Sequence, residues 1–272
     1  MASLLKLDDK GVAVRRLQTL LNAAGARPAL VVDGWFGPST LRAVLDAQAR
    51  AGLVVDGIAG PKTIETLERG GQRPAWLLRE DQLKAAADEL GVPLAAVKAV
   101  NEVESRGSGF LPEMRPVILF ERHIMYRQLA AAGLDADAIA ARQPSIVNRA
   151  PGGYLGGYAE HRRLGQAQAI HAACAIESAS WGLFQIMGFH WKALGYESAA
   201  HFAAQMDTSE GRQLEAFVRF ILADPALHKA LKTRKWATFA QIYNGPAYRK
   251  NLYDVRLARA FERYAGAETA AA

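Results

Sequence analysis

The sequence predicts a mainly α protein with a minor β component (α+β in the broad sense), built as a small three-helix domain followed by a larger, mostly helical one. Three observations carry this: a nine-residue turn motif repeated near the N-terminus, a breaker-rich stretch after it, and helical apolar spacing through most of the remaining chain. With 272 residues, half of them hydrophobic, the chain is long enough to bury two cores.

In the first domain, Val14, Leu17 and Leu21 stand at i, i+3 and i+7, which predicts an amphipathic helix over residues 11–24. Next, Val32-Asp33-Gly34-Trp35-Phe36-Gly37-Pro38-Ser39-Thr40 recurs 23 residues later as Val55-Asp56-Gly57-Ile58-Ala59-Gly60-Pro61-Lys62-Thr63. Each copy reads as an Asp-Gly turn leading into a helix with Pro at its first position, where the missing N–H costs nothing. The third helix ends near Glu68, which sets a domain over 1–70. The charged, breaker-rich run from Arg69 to Pro74 predicts a linker over 71–79 and a second domain over 80–272. Through LQTLLNAAG and its two DGxxGPxT units, residues 4–68 resemble the peptidoglycan-binding module of bacterial and phage wall hydrolases. That resemblance implies bacterial peptidoglycan as partner, held in the groove between helices rather than by the turns.

From Glu80 onward the chain reads as helical, apart from an extended segment at Pro116 to Phe120 and a glycine-rich loop at Gly152 to Gly157. One helix, over Val92 to Glu104, follows Gly91, has Pro93 in its first turn and carries Leu94, Val97, Val100 and Val103 along one side. At 100° per residue Glu104 falls between Val97 and Val100 on the apolar face. Glu102 falls beside Lys98 on the polar face, where an exposed ion pair accounts for it. A carboxyl on an apolar face loses hydration, which raises its pKa toward the range of a general acid. From helical position alone, pairing with a buried arginine or capping the loop at Gly107 explains Glu104 better.

Four strings change that balance: NEVESRGSGF from Asn101, ILFERHIMY from Ile118, SASWGLFQIMG from Ser178 and IYNGPAYRKNLYDVRLA from Ile242. In this order they resemble the muramidase domain of modular phage endolysins, within the superfamily of goose-type lysozymes and lytic transglycosylases. The resemblance implies a lysozyme-like catalytic domain with Glu104 as general acid. It also implies that Gly182 to Met187 line the sugar groove and that Tyr243 and Asn244 stand near the acid. Gln185 then offers an amide donor and acceptor to an N-acetyl group, and the Tyr243 hydroxyl bonds to the acid or the substrate. Trp181 is equally well explained as core or as a sugar-stacking platform, while Phe184, Ile186 and Met187 read as core.

A second carboxylate is required if the enzyme activates water from the opposite face or forms a covalent intermediate. Glu121 is the best candidate, beside Arg122 and His123, and His123 joins the substrate-binding candidates. A salt bridge to Arg122 or a helix N-terminal role explains Glu121 as well, and Glu177 is a weaker choice. The implied activity is cleavage of the β-1,4 bond between N-acetylmuramic acid and N-acetylglucosamine in bacterial cell lysis. Hydrolysis and formation of 1,6-anhydromuramic ends are both compatible with these residues, and a non-catalytic wall-binding protein is a more distant alternative.

The net charge of +6 favours an anionic partner such as the cell envelope, but the positive residues are dispersed and accompany no nucleic-acid motif. The densest run, His228 to Lys235, reads as a solvated helix face. One cysteine excludes an intramolecular disulfide, and Cys174 sits in an apolar run that reads as core. The six histidines show no metal-ligand spacing, so neither metal nor cofactor is expected. MASLLKLDDKG lacks the apolar centre of a secretion signal, and no segment predicts stable membrane insertion. The resemblance adds a setting: a monomer made in the host cytoplasm that reaches the periplasmic wall after holin-type release.

Overall fold

Each copy of the repeated motif folds as a turn closed by a glutamine from the helix before it. In the computed structural model the first unit contains α1 (Val12–Ala23), α2 (Pro38–Ala51) and α3 (Pro61–Glu68). From α1, Gln18 is buried and its amide donates to Asp33 Oδ1 at 2.8 Å, to the Trp35 carbonyl at 3.0 Å and to Thr40 Oγ1 at 3.2 Å. Its carbonyl oxygen accepts the Gly34 N–H at 2.9 Å. Gln48 of α2 repeats the pattern on Asp56 Oδ1, the Ile58 carbonyl and Thr63 Oγ1, and accepts the Gly57 N–H at 3.0 Å. The Asp-Gly step is thereby explained. Asp supplies an acceptor, and Gly34 and Gly57 take φ of +82° and +72°, which a side chain disfavours. Val14, Leu17, Leu21, Phe36, Val44 and Ala59 fill the core between the helices.

The structure describes residues 4–105 and 107–271. Residues 1–3, which open the first domain and the segment read for a secretion signal, lie outside the described residues, as do Arg106 of the NEVESRGSGF string and Ala272. The chain divides into two compact units, one ending at Ala87 and the other beginning at Asp88, within α4 (Glu80–Leu90). The stretch expected as a linker over 71–79 is structured. Leu77 and Leu78 are buried, Leu53 pairs with Arg79 in an antiparallel bridge, and the Val55 N–H donates to Glu80 Oε2. Breakers end at Pro74, and the apolar Leu77-Leu78 pair after them gives the chain a reason to fold back onto the first unit.

The second unit opens with α5 (Leu94–Glu104) and continues with β1 (Ile118–Phe120), α6 (Arg122–Ala131), α7 (Ala136–Arg142), α8 (Tyr158–Ile170) and α9 (Ala172–Glu177). It goes on with β2 (Ala179–Trp181), β3 (Ile186–Met187), α10 (Ala199–Met206), α11 (Glu210–Ala223), α12 (Pro225–Lys232), α13 (Trp236–Asn244) and α14 (Tyr253–Ala271). The extended segment foreseen at 116–120 is β1. It pairs antiparallel with β2, Ile118 opposite Trp181 and Phe120 opposite Ala179, and β2 turns back into β3 through Gly182 to Gln185. The buried ion pair of Glu160 and Arg163 on α8 closes on β1: Glu160 accepts the Phe120 N–H and Arg163 donates to the Phe120 carbonyl.

Helix α5 is buried on nearly every side, from Ala95 to Val100 and again at Val103, and packs most extensively on α14. Burial therefore extends beyond the single apolar stripe expected. Glu102, expected on a solvated face, accepts from the Tyr264 hydroxyl at 2.6 Å and from Arg263, both on α14, and the buried Lys98 ammonium lies 5.8 Å from the Tyr264 ring centroid. Among the described residues, no helix is long and apolar enough to cross a membrane.

The turn-closing role of glutamine predicts that Gln48→Leu leaves the Gly57 N–H and its neighbours unpaired in a buried site. Calorimetry of the intact chain should show the first unit destabilised by about 1–3 kcal/mol, whereas an unchanged transition would contradict this role for the glutamine.

Candidate active site

Glu104 is the last residue of α5; Ser105 leaves the helix in extended conformation. The carboxyl therefore stands at the end of a helix whose other side is core, and burial removes most of its water. Burial pushes the Glu104 pKa up to about 7, against the Asn244 hydrogen bond and the positive charge of Arg256, which both act to lower it. Asn244 ends α13, where Gly245 at φ +74° stops the helix, and its Nδ2 donates to Glu104 Oε1 at 2.9 Å. The two residues line a cleft of about 360 Å³, within the size usual for ligand sites. Tyr253 of α14, Phe220 of α11, Met187 and His190 complete much of its wall. Burial also lowers the His190 pKa, so its imidazole is neutral near pH 7.

The Gly182 to Gln185 turn contributes Phe184 and Gln185 to the same cleft. Tyr243 donates its hydroxyl to the Phe184 carbonyl at 2.7 Å, and its ring is packed among Phe217, Phe220 and Phe239. The hydroxyl proton, which the resemblance directed to the acid or the substrate, thus fastens the turn, and burial followed by the nearby Glu104 charge keeps the phenol well above its usual pKa. Gln185 lines the cleft, but its amide is engaged elsewhere. It donates to the Val117 and Gly182 carbonyls at 3.2 and 2.8 Å and accepts from Ser180 Oγ at 2.8 Å. Both amide protons thus close the hairpin.

Trp181 resolves as core. It is 5% exposed, donates its indole N–H to the Ile176 carbonyl at 3.1 Å and meets Phe202 edge-on. Phe184, Ile186 and Cys174 are buried as expected, and Met187 is half-buried on the cleft. Glu121 and His123 do not line the cleft. Glu121 accepts from the Tyr154 hydroxyl at 2.7 Å, and His123 Nδ1 lies 3.1 Å from the same carboxylate. The sheet register explains the separation. Ile118 pairs at the end of β2 that enters the turn, Phe120 pairs at the far end, and Glu121 comes after it. Arg122 gives its guanidinium to the carbonyls of Ala150 and Pro151. Glu177 accepts from the Trp191 indole at 2.8 Å. Among the described residues lining the cleft, Glu104 alone carries a carboxyl.

Tyr253 and Arg256 lie within the IYNGPAYRKNLYDVRLA string but carry no individual signal in it, while Phe220 comes from a helix outside all four strings and His190 stands only among the histidines without metal-ligand spacing. A lone buried carboxyl with a pKa near neutrality, an amide to receive its charge and a cleft of sugar size make a site for proton donation to a leaving oxygen.

The sequence profile described as N-acetylmuramidase matches residues 93–265, more than half of the chain, and takes in Glu104, the hairpin turn and Asn244. The chain belongs to the N-acetylmuramidase family. A second profile, of a peptidoglycan binding domain, matches residues 10–67. The crystal structure of the Burkholderia AP3 phage endolysin superposes with a TM-score of 0.92 and is 57% identical, the match covering 98% of this chain and 99% of that one. A comparison with curated proteins gives no match. This muramidase is a glycoside hydrolase of peptidoglycan, acting on the β-1,4 bond between N-acetylmuramic acid and N-acetylglucosamine.

A carboxyl whose pKa is raised on folding makes stability depend on pH. The unfolded group ionises near 4.5 and the folded one at about 7. Its cost is therefore absent below the first value, grows between them and is complete above the second. The muramidase variant Glu104→Gln should be more stable than wild type by on the order of 3 kcal/mol at about pH 8, the advantage fading toward about pH 4. Urea unfolding across that range tests this, and an advantage independent of pH would contradict it.

Proposed function

We propose that Glu104 is the general acid of the muramidase. Its neutral carboxyl protonates the bridging oxygen as the bond to the muramic acid carbon lengthens, and the Asn244 amide and the Arg256 charge stabilise the carboxylate left behind. Water then captures the sugar cation, giving a reducing N-acetylmuramic acid end, and the proton it releases returns to Glu104. The observation that carries this reading is the placement of one desolvated carboxyl, with a pKa of about 7, on a sugar-sized cleft. His190, Met187 and Phe220 would contact the saccharides. Gln185 and Tyr243 would shape the wall that receives them.

Wall binding falls to the first unit and catalysis to the second. The match of the first unit to a peptidoglycan binding domain and the net charge of +6 support attachment to an anionic envelope. Likeness to a phage endolysin supports a role in lysis from within, the chain being made in the host cytoplasm and reaching the wall through a holin-type pore. It would act there as a monomer, without binding nucleic acid or inserting stably in the membrane.

Mass spectrometry of muropeptides released from purified peptidoglycan should give reducing muramic ends with the wild type. Glu104→Gln should lower their yield by about a hundredfold or more, the range lost with a general acid. Anhydro ends would replace hydrolysis by internal capture, and full activity in Glu104→Gln would remove the acid from this position. Glu121→Gln should retain turnover within about twofold, since a group outside the cleft makes no bond to the transition state. A hundredfold loss there would restore Glu121 as the second carboxylate.

A further inference from the structure

Two backbone segments adjoin the elements of the cleft in the chain: the loop after α5, through Gly109 and Phe110, and the turn from Gly182 to Gln185, whose Phe184 and Gln185 line it. Both reach one buried side chain. Gln213 of α11, 1% exposed, accepts the Leu183 N–H on Oε1 at 2.7 Å and donates from Nε2 to the Gly109 carbonyl at 3.2 Å and the Met206 carbonyl at 2.8 Å. One helical turn earlier, buried Glu210 accepts the Gly109 N–H at 2.9 Å. One turn later, Phe217 stacks on Phe184 with centroids 4.4 Å apart, and beyond it Phe220 lines the cleft. A single face of α11 thus holds both segments.

The glycines of those segments match this arrangement. A Cβ at Gly109 would lie 2.0 Å from Gln213 Oε1, and one at Gly182 would lie 2.5 Å from Gln213 Cδ. Each backbone can reach the amide only without a side chain. Glutamine is also the fitting residue, since one planar head supplies an acceptor and two donors. A carboxylate of the same length lacks the donors.

We propose that Gln213 is a positioning residue for the muramidase reaction, tying the loop that follows the acid helix to the hairpin turn and so fixing the cleft that Glu104 lines. This rests on Glu104 being the acid. With the tie cut, the turn loosens, water enters, and the carboxyl recovers a more ordinary pKa. The acid then ionises at lower pH, so activity falls away earlier as pH rises.

Two variants test this in the full chain. Gln213→Met keeps the length and removes every hydrogen bond. Gly109→Ala keeps the amide but drives it from its place, at a position whose φ is not in the left-handed region. For each, the release of reducing ends from purified peptidoglycan is followed against pH and normalised to the folded fraction, and hydrogen exchange of the Leu183 amide is measured. We expect turnover reduced about tenfold, the alkaline limb displaced to lower pH, and faster Leu183 exchange. Wild-type turnover per folded molecule, an unmoved alkaline limb, or unchanged exchange at Leu183 would each overturn the proposal. Should Gln213→Met not fold, Gly109→Ala carries the same readouts. Glu104→Gln measured in parallel separates the two claims: its retained activity would defeat the acid, while Leu183 exchange still tests the tie.

Discussion

A carboxyl that must hold a proton near neutral pH has to be kept dry, yet a glycan strand must reach it. With Glu104 in its proposed role, most of the muramidase unit can be understood as meeting those two demands there. The helix that carries it is buried along nearly its whole length, so the side chain at its end is fixed to the core rather than to a mobile loop. Among the described residues, the Asn244 amide donates a hydrogen bond to the carboxyl. One neutral donor is enough to orient the group and receive its charge after proton transfer, without holding it ionised beforehand.

Another part of the cleft wall is a hairpin of only a few residues, too short to be stable alone. It is held from several sides: Phe184 by the ring of Phe217 and the hydroxyl of Tyr243, and Leu183 by the amide of Gln213. Gln185, at φ +53°, bends the chain and ties it back to β1 through the Val117 carbonyl. The same economy appears in the wall-binding unit, where Gln18 and Gln48 each close a turn by bonding to backbone and side chains at once. Glutamine recurs because its donors and acceptor bridge unpaired backbone groups at a distance that shorter amides do not span.

The parts legible in the sequence were those with a local signature. Pro93 and the spacing of Leu94, Val97, Val100 and Val103 placed Glu104 at the end of a helix, and the repeated DGxxGPxT units placed the turns of the first unit. Asn244 came with its motif. The illegible parts depend on partners far along the chain. The internal bonds of Gln185 and Tyr243 were not legible, because the carbonyls that engage them belong to Val117, Gly182 and Phe184. The place of Glu121 outside the cleft is set by the register of β1 on β2, and the choice between the two readings of Trp181 by its indole partner, Ile176, at the end of α9, neither of which the sequence displays. Leu77 and Leu78 turned an expected spacer into structure.

The central claim is that desolvation keeps the Glu104 carboxyl protonated near neutral pH. Its most direct test is a carbon NMR titration of the intact protein with labelled glutamate, the Glu104 signal assigned by its absence in Glu104→Gln. The account predicts a midpoint at about 7. A midpoint near the ordinary 4.5 would mean that the carboxyl is hydrated and already ionised at neutral pH, and the acid would have to be sought elsewhere.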